Sequence, residues 1–449
     1  MFRILILLVL LFALPVAGKC QKQRLLITTD IGGDPDDQQS LIRLMVYSNE
    51  FEIEGIVCSA SGTPGELKNA IVRPDLVEEI ILAYKQVYPR LVMHDDDFIR
   101  PEILLSFIKK GNPNRGYSFI GPGQDTEGSN HIIYSIDKSD PRPLNICIFG
   151  GQTDLAQALW KVKNNRSPKE YQRFISKIRV YDINDQDKIF EGLIAEHPGL
   201  FYILAKAPKD ADKREGAYRG VYLGGDESLT SKEWISQNVS TNHGPLGELY
   251  PQKTWTAPNP HGVMKEGDTP SWFYFLDNGL NVQDHPEFGG WGGRFTMNKD
   301  GWYSDATDSF QNVHNARATV YRWRADFQND FAARMDWCVN EYSDCNHPPV
   351  IVLNGKSGKD PFELHSRKGK TVTFNAGGTT DPEGHELSYE WLVYPEAGNT
   401  SIYPEITSTG TTASLIMPEL AKGQQIHIIL CVKDKGNPSL TAYRRIILR

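Results

Sequence analysis

Thr28-Thr29-Asp30-Ile31-Gly32-Gly33-Asp34-Pro35-Asp36-Asp37 places four carboxylates within eight residues, directly after a short apolar run, Leu25-Leu26-Ile27. Gly32, Gly33 and Pro35 call for a tight turn, and Gln38 to Tyr47 reads as the opening of a helix. Four like charges this close repel one another, and a folded chain tolerates them only when they are solvated or bind a cation. A strand, a turn and a helix in this order suit an open α/β sheet, whose ligands collect at the carboxyl ends of its strands. The competing reading is an exposed turn in which Asp34 or Asp36 caps the helix.

From Arg24 to about Cys338 short apolar runs alternate with amphipathic segments. Leu25–Thr29, Glu54–Cys58, Leu144–Phe149 and Ile178–Asp182 read as buried parallel strands, and Asp37–Tyr47, Leu67–Lys85, Thr153–Lys163 and Gln311–Asp330 as helices. That alternation predicts right-handed βαβ units and a mostly parallel sheet. Between Gly216 and Trp302 the texture turns to Gly, Pro and Trp with little periodicity, as in long functional loops. Asn346-His347-Pro348-Pro349 marks a boundary. Beyond it, Val350–Leu353, Thr371–Phe374, Leu387–Val393, Ala413–Met417, Gln425–Val432 and Ala442–Leu448 are β-like runs separated by turn signals such as Asp381-Pro382-Glu383-Gly384. This predicts a small antiparallel β-sandwich with Trp391 as a core anchor.

A chain of 449 residues suits two domains. Its net charge of −8 carries no compensating basic stretch, which argues against a nucleic-acid partner. Met1-Phe2-Arg3, the apolar run Ile4 to Val16, and the small residues Ala17 and Gly18 have the form of a secretory signal peptide. The expected division is therefore residues 1–20 as signal peptide, 21–345 as the α/β domain and 346–449 as the sandwich, with a secreted or periplasmic location. Lys19 before Cys20 is unsuited to a lipoprotein anchor, and no second apolar run reaches transmembrane length. Cys58 and Cys147 lie in strand-like runs and are expected as buried thiols. An oxidising compartment would let Cys338 and Cys345 pair across their short polar loop.

The Asp, the Gly/Pro turn and the Asp-Asp pair after the first strand resemble the opening of the calcium-dependent nucleoside hydrolases. Thr28–Ser40 and the later blocks are more closely similar to an exported family with a nucleoside-hydrolase-like domain followed by an Ig-like domain, some of whose members are labelled cellulose-binding. The resemblance covers nearly the whole mature chain. It implies a nucleoside-hydrolase-type α/β fold and a Ca2+ ion held by Asp30, Asp37, the backbone carbonyl of Thr153 in Gly150-Gly151-Gln152-Thr153-Asp154-Leu155-Ala156, and Asp268 in Gly267-Asp268-Thr269-Pro270. It further implies that Asp30 is the general base toward a metal-bound water and that Asp36 accepts hydrogen bonds from sugar hydroxyls. The chemistry is coherent, because calcium takes six to eight oxygen ligands and acidifies its water, and direct displacement at an anomeric carbon inverts it. Two departures stand out. The turn is longer here, with Asp34 as an extra carboxylate, and Gly267 occupies the position where nucleoside hydrolases carry a His. They weigh against a nucleobase leaving group and leave a sugar leaving group open.

Further residues are expected to complete the pocket. Asp185 and Asp187 follow a strand and are read as substrate contacts, against the alternative of a solvated, capped loop. His243, beside Asn242 in Asn242-His243-Gly244-Pro245, is the candidate acid for a leaving oxygen, with Asn242 as a substrate contact. Trp272, Trp291 and Trp302 are candidate sugar platforms, although core packing is the weightier reading of each taken singly, and Arg294, Ser59 and Ser61 are further candidate contacts. The leading expectation is a secreted calcium-dependent hydrolase cleaving an N- or O-glycosidic bond in a glycan or glycoside. A non-catalytic carbohydrate-binding protein on the same scaffold is the alternative, and a true nucleoside hydrolase comes third.

Overall fold

The computed structural model describes residues 21–253 and 263–449, so the expected signal peptide and Cys20 lie outside the described residues. Apolar, β-branched segments build one eight-stranded sheet. Its strands are β1 (Gln23–Thr29), β2 (Phe51–Cys58), β3 (Ile108–Lys110), β4 (Leu144–Ile148), β5 (Ile178–Ile183), β6 (Phe201–Ala205), β7 (Phe295–Met297) and β8 (Tyr303–Asp305). The spatial order is β3-β2-β1-β4-β5-β6-β8-β7, and every pairing is parallel except β7 with β8. β1, β4 and β5 are buried on both faces, which explains why they read as continuous apolar runs. The chain leaves β1 toward β2 on one side and returns with β4 on the other. The gap between the ends of β1 and β4 is thus the topological switch point, the crevice where open α/β sheets bind ligands.

Several helices differ from their sequence expectation. The helix expected at Leu67–Lys85 is two, Pro64–Lys68 and Pro74–His94, each started by a proline at its first turn. The helix expected at Gln311–Asp330 is corrected more deeply. Asp308–Phe310 and Val313–Asn315 form an antiparallel hairpin, and Ala318–Tyr321 and Arg324–Trp337 follow as separate helices. Gln311 and Asn312 sit at φ 48° and 64°, the left-handed turn a helix cannot contain. Cys338 and Cys345 are buried free thiols and not a disulfide.

The C-terminal region contains a four-stranded sheet, Phe362–Leu364, Thr441–Leu448, Ile426–Asp434 and Leu387–Val393, and a three-stranded sheet, Thr371–Asn375, Thr412–Ile416 and Thr407–Thr409. Pairing is antiparallel except for the edge strand Phe362–Leu364. Trp391 is buried between them and stacks on Phe374, a core anchor. This region is joined to the α/β region by buried polar contacts. The wholly buried Arg445 donates to the carbonyls of Leu280, Phe288 and Gly289. Tyr394 donates to Asp308 at 2.6 Å, and the Trp291 indole donates to the Tyr443 hydroxyl. Among the described residues no helix is long and apolar enough to cross a membrane.

Candidate metal and substrate site

The turn after β1 is held by its own sequence. The Thr29 hydroxyl donates to Asp37, Gly62 N–H donates to the Asp30 carbonyl at 2.7 Å, and the Thr28 hydroxyl donates to the Gly150 carbonyl at 2.6 Å. Gly150 is obligatory, since a Cβ there would lie 2.5 Å from Asp30 Cγ. Asp36 and Asp37 occupy the first turn of the helix Asp36–Met45, where the helix dipole favours negative charge.

The same helix fixes the segment carrying Asp268. The Gln39 side-chain oxygen accepts from Lys265 and Glu266 N–H at 2.8 and 3.2 Å, and its amide donates to the Val263 carbonyl at 2.8 Å. One turn on, Arg43 forms a fully buried ion pair with Glu266, Nε to Oε2 2.6 Å. Ser40 and Thr269 close the contact through their hydroxyls at 3.1 Å. Asp36, Gln39, Ser40 and Arg43 share one face by helical spacing, and that face presses the 263–269 segment against the acidic turn. As a result one oxygen each of Asp36, Asp37 and Asp268 lie within 4.8 Å of one another.

These carboxylates open into a cavity of about 230 Å³, lined also by Asp30 and Asp34, by Arg115, Arg219 and Lys265, by Tyr218, Asn184 and Gln186, and by short stretches of turn. Burial, reinforced by Asp30 and Asp36, drives Asp37 well above the usual carboxylate range. Burial and then Asp37, Asp36 and Asp30 do the same to Asp268. Burial and the Asp30 charge lift Asp36 to about 7. Asp30 is raised by burial against the opposing pull of Arg115, which reaches its Oδ2 at 2.5 Å. Lys265 pairs with Asp34 and lies 3.7 Å from Asp36, and burial lowers its ammonium to about 8 against the pull of Asp268 and Asp30. Asp268 Oδ2 is buried with no hydrogen-bond partner. Hard oxygen donors, buried together and short of positive charge, fit a calcium ion.

Thr153 is not among the cavity-lining residues. Its amide and hydroxyl both donate to Asp187 Oδ2, at 2.8 and 2.6 Å, and its hydroxyl oxygen accepts from Gly116 N–H at 2.9 Å. Asp154 accepts from Asn112 N–H at 2.9 Å and from the Thr126 hydroxyl at 2.6 Å. The block after β4 therefore anchors the loop that delivers Arg115 to Asp30. Asp187 is corrected from substrate contact to positioning residue, buried at Thr153 and 3.8 Å from Arg115. Asp185 is likewise corrected, because it caps the backbone N–H groups of Ile189 and Phe190 and pairs with Lys206.

The expected acid and platforms lie elsewhere. His243 is buried against Asp336, 3.2 Å away on the helix Arg324–Trp337, and neither it nor Asn242 lines the cavity. Trp272 is 0% exposed among Tyr47, Phe51 and Phe273, and Trp291 packs on Phe273, Phe327 and Tyr443. Both are core residues, not sugar platforms. Trp302 packs edge-on to Phe190, Arg294 pairs with Asp308, Ser59 donates to the Thr29 carbonyl, and Ser61 donates to Glu66. The sequence reading missed Arg115, Arg219, Lys265, Asn184 and Gln186. The usable signal was positional for Asn184 and Gln186, which directly follow β5 at the sheet end where ligands bind.

Residues 24–295 match a family profile described as "Cellulose-binding Sde182, nucleoside hydrolase-like domain", and residues 371–449 match one described as "Cellulose-binding protein Sde0182, C-terminal domain". A solved structure of a nucleoside hydrolase-related hypothetical protein from Saccharophagus degradans, described as associated with carbohydrate metabolism, is 34% identical. The similarity covers 96% of this chain and 100% of that one, with a TM-score of 0.80. Titin domain M7 matches 23% of this chain and 96% of its own length at 13% identity, with a TM-score of 0.14. No curated protein sequence matches the chain.

Proposed function

The chain belongs to the Sde182 nucleoside-hydrolase-like family, and from that premise we propose that it is a calcium-dependent hydrolase of glycosidic bonds acting on a small glycoside or on the end of a glycan. The observation that carries this reading is the convergence of Asp36, Asp37 and Asp268 beside Asp30 at the switch point of the sheet. Asp37 and Asp268, with Asp36, are the donors able to hold the ion. When bound, calcium supplies positive charge against these carboxylates and acidifies a coordinated water.

Asp30 is the group placed to take the proton of the attacking water as its oxygen bonds to the anomeric carbon and the leaving group departs with the bonding pair. Burial raises the basicity of Asp30, while Arg115 orients it through Oδ2. Arg219 and Lys265 line the cavity as cations that substrate hydroxyls and the leaving group would meet there. The cavity is small beside the usual ligand clefts of roughly 300–1,000 Å³, which suits one sugar unit better than a polysaccharide strand.

A second reading, a carbohydrate binder without turnover, is favoured by the ion pair that partly neutralises Asp30 and by the position of His243 away from the cavity. One experiment separates the two. Aryl glycosides, cello-oligosaccharides and nucleosides are incubated with the protein in calcium or in chelator, beside Asp30→Asn. Turnover that needs calcium and vanishes in Asp30→Asn supports the hydrolase. Equal oligosaccharide binding by both proteins, with no product from either, supports the binder.

A further inference from the structure

A second group of metal-type ligands lies outside this cavity, in the turn Asp381-Pro382-Glu383-Gly384-His385 of the C-terminal region. One ligand atom each of Asp381, Glu383 and His385 lie within 4.8 Å of one another. Asp381 is the decisive residue. Its side chain is only 1% exposed, its Oδ1 accepts from the N–H groups of Glu383 and His385 at 3.1 and 2.8 Å, and its Oδ2 is buried with no hydrogen-bond partner. His385 Nδ1 stands 3.3 Å from Asp381 Oδ1 yet is also buried without a hydrogen bond. An orphaned carboxylate oxygen costs free energy in the interior unless a hydrogen-bond donor, a water or a cation satisfies it, and the His385 imidazole beside it supplies a second ligand atom for a cation.

We propose that Asp381, Glu383 and His385 form a binding site for a divalent transition-metal ion of the zinc class at the seam between the two regions. One imidazole nitrogen with two carboxylates suits zinc, which accepts three protein ligands and a water, whereas calcium prefers oxygen alone. The imidazole of His385 is 36% exposed, which gives the ion a way in. Glu383 also holds the far side of the seam. Its two oxygens accept from His347 N–H at 3.1 Å and from His347 Nδ1 at 2.6 Å. The His347 ring stacks on Tyr342, Trp337 and His94, centroids 3.9, 4.9 and 5.2 Å away, all from the first region. An ion on Glu383 therefore fixes the carboxylate that anchors this stack, and its role is structural.

The test uses the full-length protein stripped with chelator and then titrated with zinc, read by calorimetry and metal analysis. His385→Ala is the main variant, because the partly exposed ring can be removed without disturbing the Asp381 cap. Asp37→Asn controls for zinc entering the other carboxylate cluster. The expected result is one zinc equivalent bound by wild type and by Asp37→Asn, lost in His385→Ala, together with a zinc-dependent rise in thermal midpoint that His385→Ala lacks. Retention of that equivalent and that rise by His385→Ala overturns the proposal, as does a wild type that binds no zinc. If Asp37→Asn does not fold, cobalt substitution decides: a visible band of equal intensity in wild type and His385→Ala also overturns it.

Discussion

Replacing Asp268 by asparagine should stabilise the protein in chelator and remove its response to calcium, two effects of opposite sign from one substitution. Asp36, Asp37 and Asp268 approach within 4.8 Å of one another, and at an effective dielectric of about 20 each ionised pair repels by roughly 3.5 kcal/mol. Asp268→Asn would delete two of those three repulsions, about 7 kcal/mol if all three groups were ionised. The wild type already avoids part of this by taking up protons, since Asp36 reaches about 7 and Asp37 and Asp268 are driven well above the carboxylate range. Lys265, 3.7 Å from Asp36, offsets more. The net gain expected near pH 8 is therefore about 2–4 kcal/mol, or about 2–4 °C in the thermal midpoint of a chain this long. Calcium at a hundredfold excess over its dissociation constant should stabilise wild type by about 2.7 kcal/mol and the variant hardly at all. Differential scanning calorimetry with and without chelator reads both effects. A variant that is less stable in chelator, yet still gains as much from calcium as wild type, would refute the argument that these carboxylates form an uncompensated cation site.

Other perturbations probe what builds the site. Glu266→Ala leaves the Arg43 guanidinium buried without its partner and should cost about 3–5 kcal/mol in urea denaturation, with calcium affinity falling because the Asp268 segment loses its anchor. Gly150→Ala drives a methyl group to within 2.5 Å of Asp30 Cγ, and should lower stability by about 1–3 kcal/mol while abolishing any calcium-dependent turnover. Glu50 gives a pH test far from the cavity. Burial works against its charge, but Lys359 and Arg334 overcome it and hold the group down to about 2. A depressed carboxylate stabilises the fold fully above its unfolded value of 4.5 and loses that contribution as pH falls through 2. Glu50→Gln should thus cost at most about 3 kcal/mol at neutral pH, reduced by salt, and flatten acid unfolding between those limits; an unchanged acid profile would remove Glu50 from the account.

Much of the central sheet was legible, because β1, β4 and β5 are buried on both faces and leave apolar runs no other element explains. β3, β7 and β8 were not, since three residues cannot display a period. The tryptophans could not be assigned for a different reason. Sugar platforms and core anchors use the same side chain, and only burial separates them: Trp272 sits on a five-residue helix whose sequence shows no buried face. His243 was read from its Gly/Pro surroundings, but its place is set by the distant helix carrying Asp336. Asp187 was noticed as a carboxylate at the right end of a strand; that it serves Thr153 and Arg115 depends on a loop from β3 that sequence spacing does not locate.

The cations hidden from the sequence bear directly on the acidic run that was visible. Five carboxylates line the cavity, those of Asp30, Asp34, Asp36, Asp37 and Asp268, against three cations, Arg115, Arg219 and Lys265. With every group ionised the lining is two positive charges short, which one divalent ion would supply. The shortfall is not evenly spread. Arg115 faces Asp30 and Lys265 pairs with Asp34 while also drawing on Asp268, whereas Asp37 faces other carboxylates; Asp37 and Asp268 are nonetheless the groups driven well above the carboxylate range. Charge deficit and strained ionisation thus coincide at two of the carboxylates expected to bind calcium, while Asp30, the third, is held by its own cation beside them. A base that must stay ionised needs such a partner, which gives Arg115 a reason to be there under the hydrolytic reading. Arg115→Met should then leave calcium affinity within a few-fold of wild type and cut turnover, whereas equal loss of both would make Arg115 part of the metal scaffold instead.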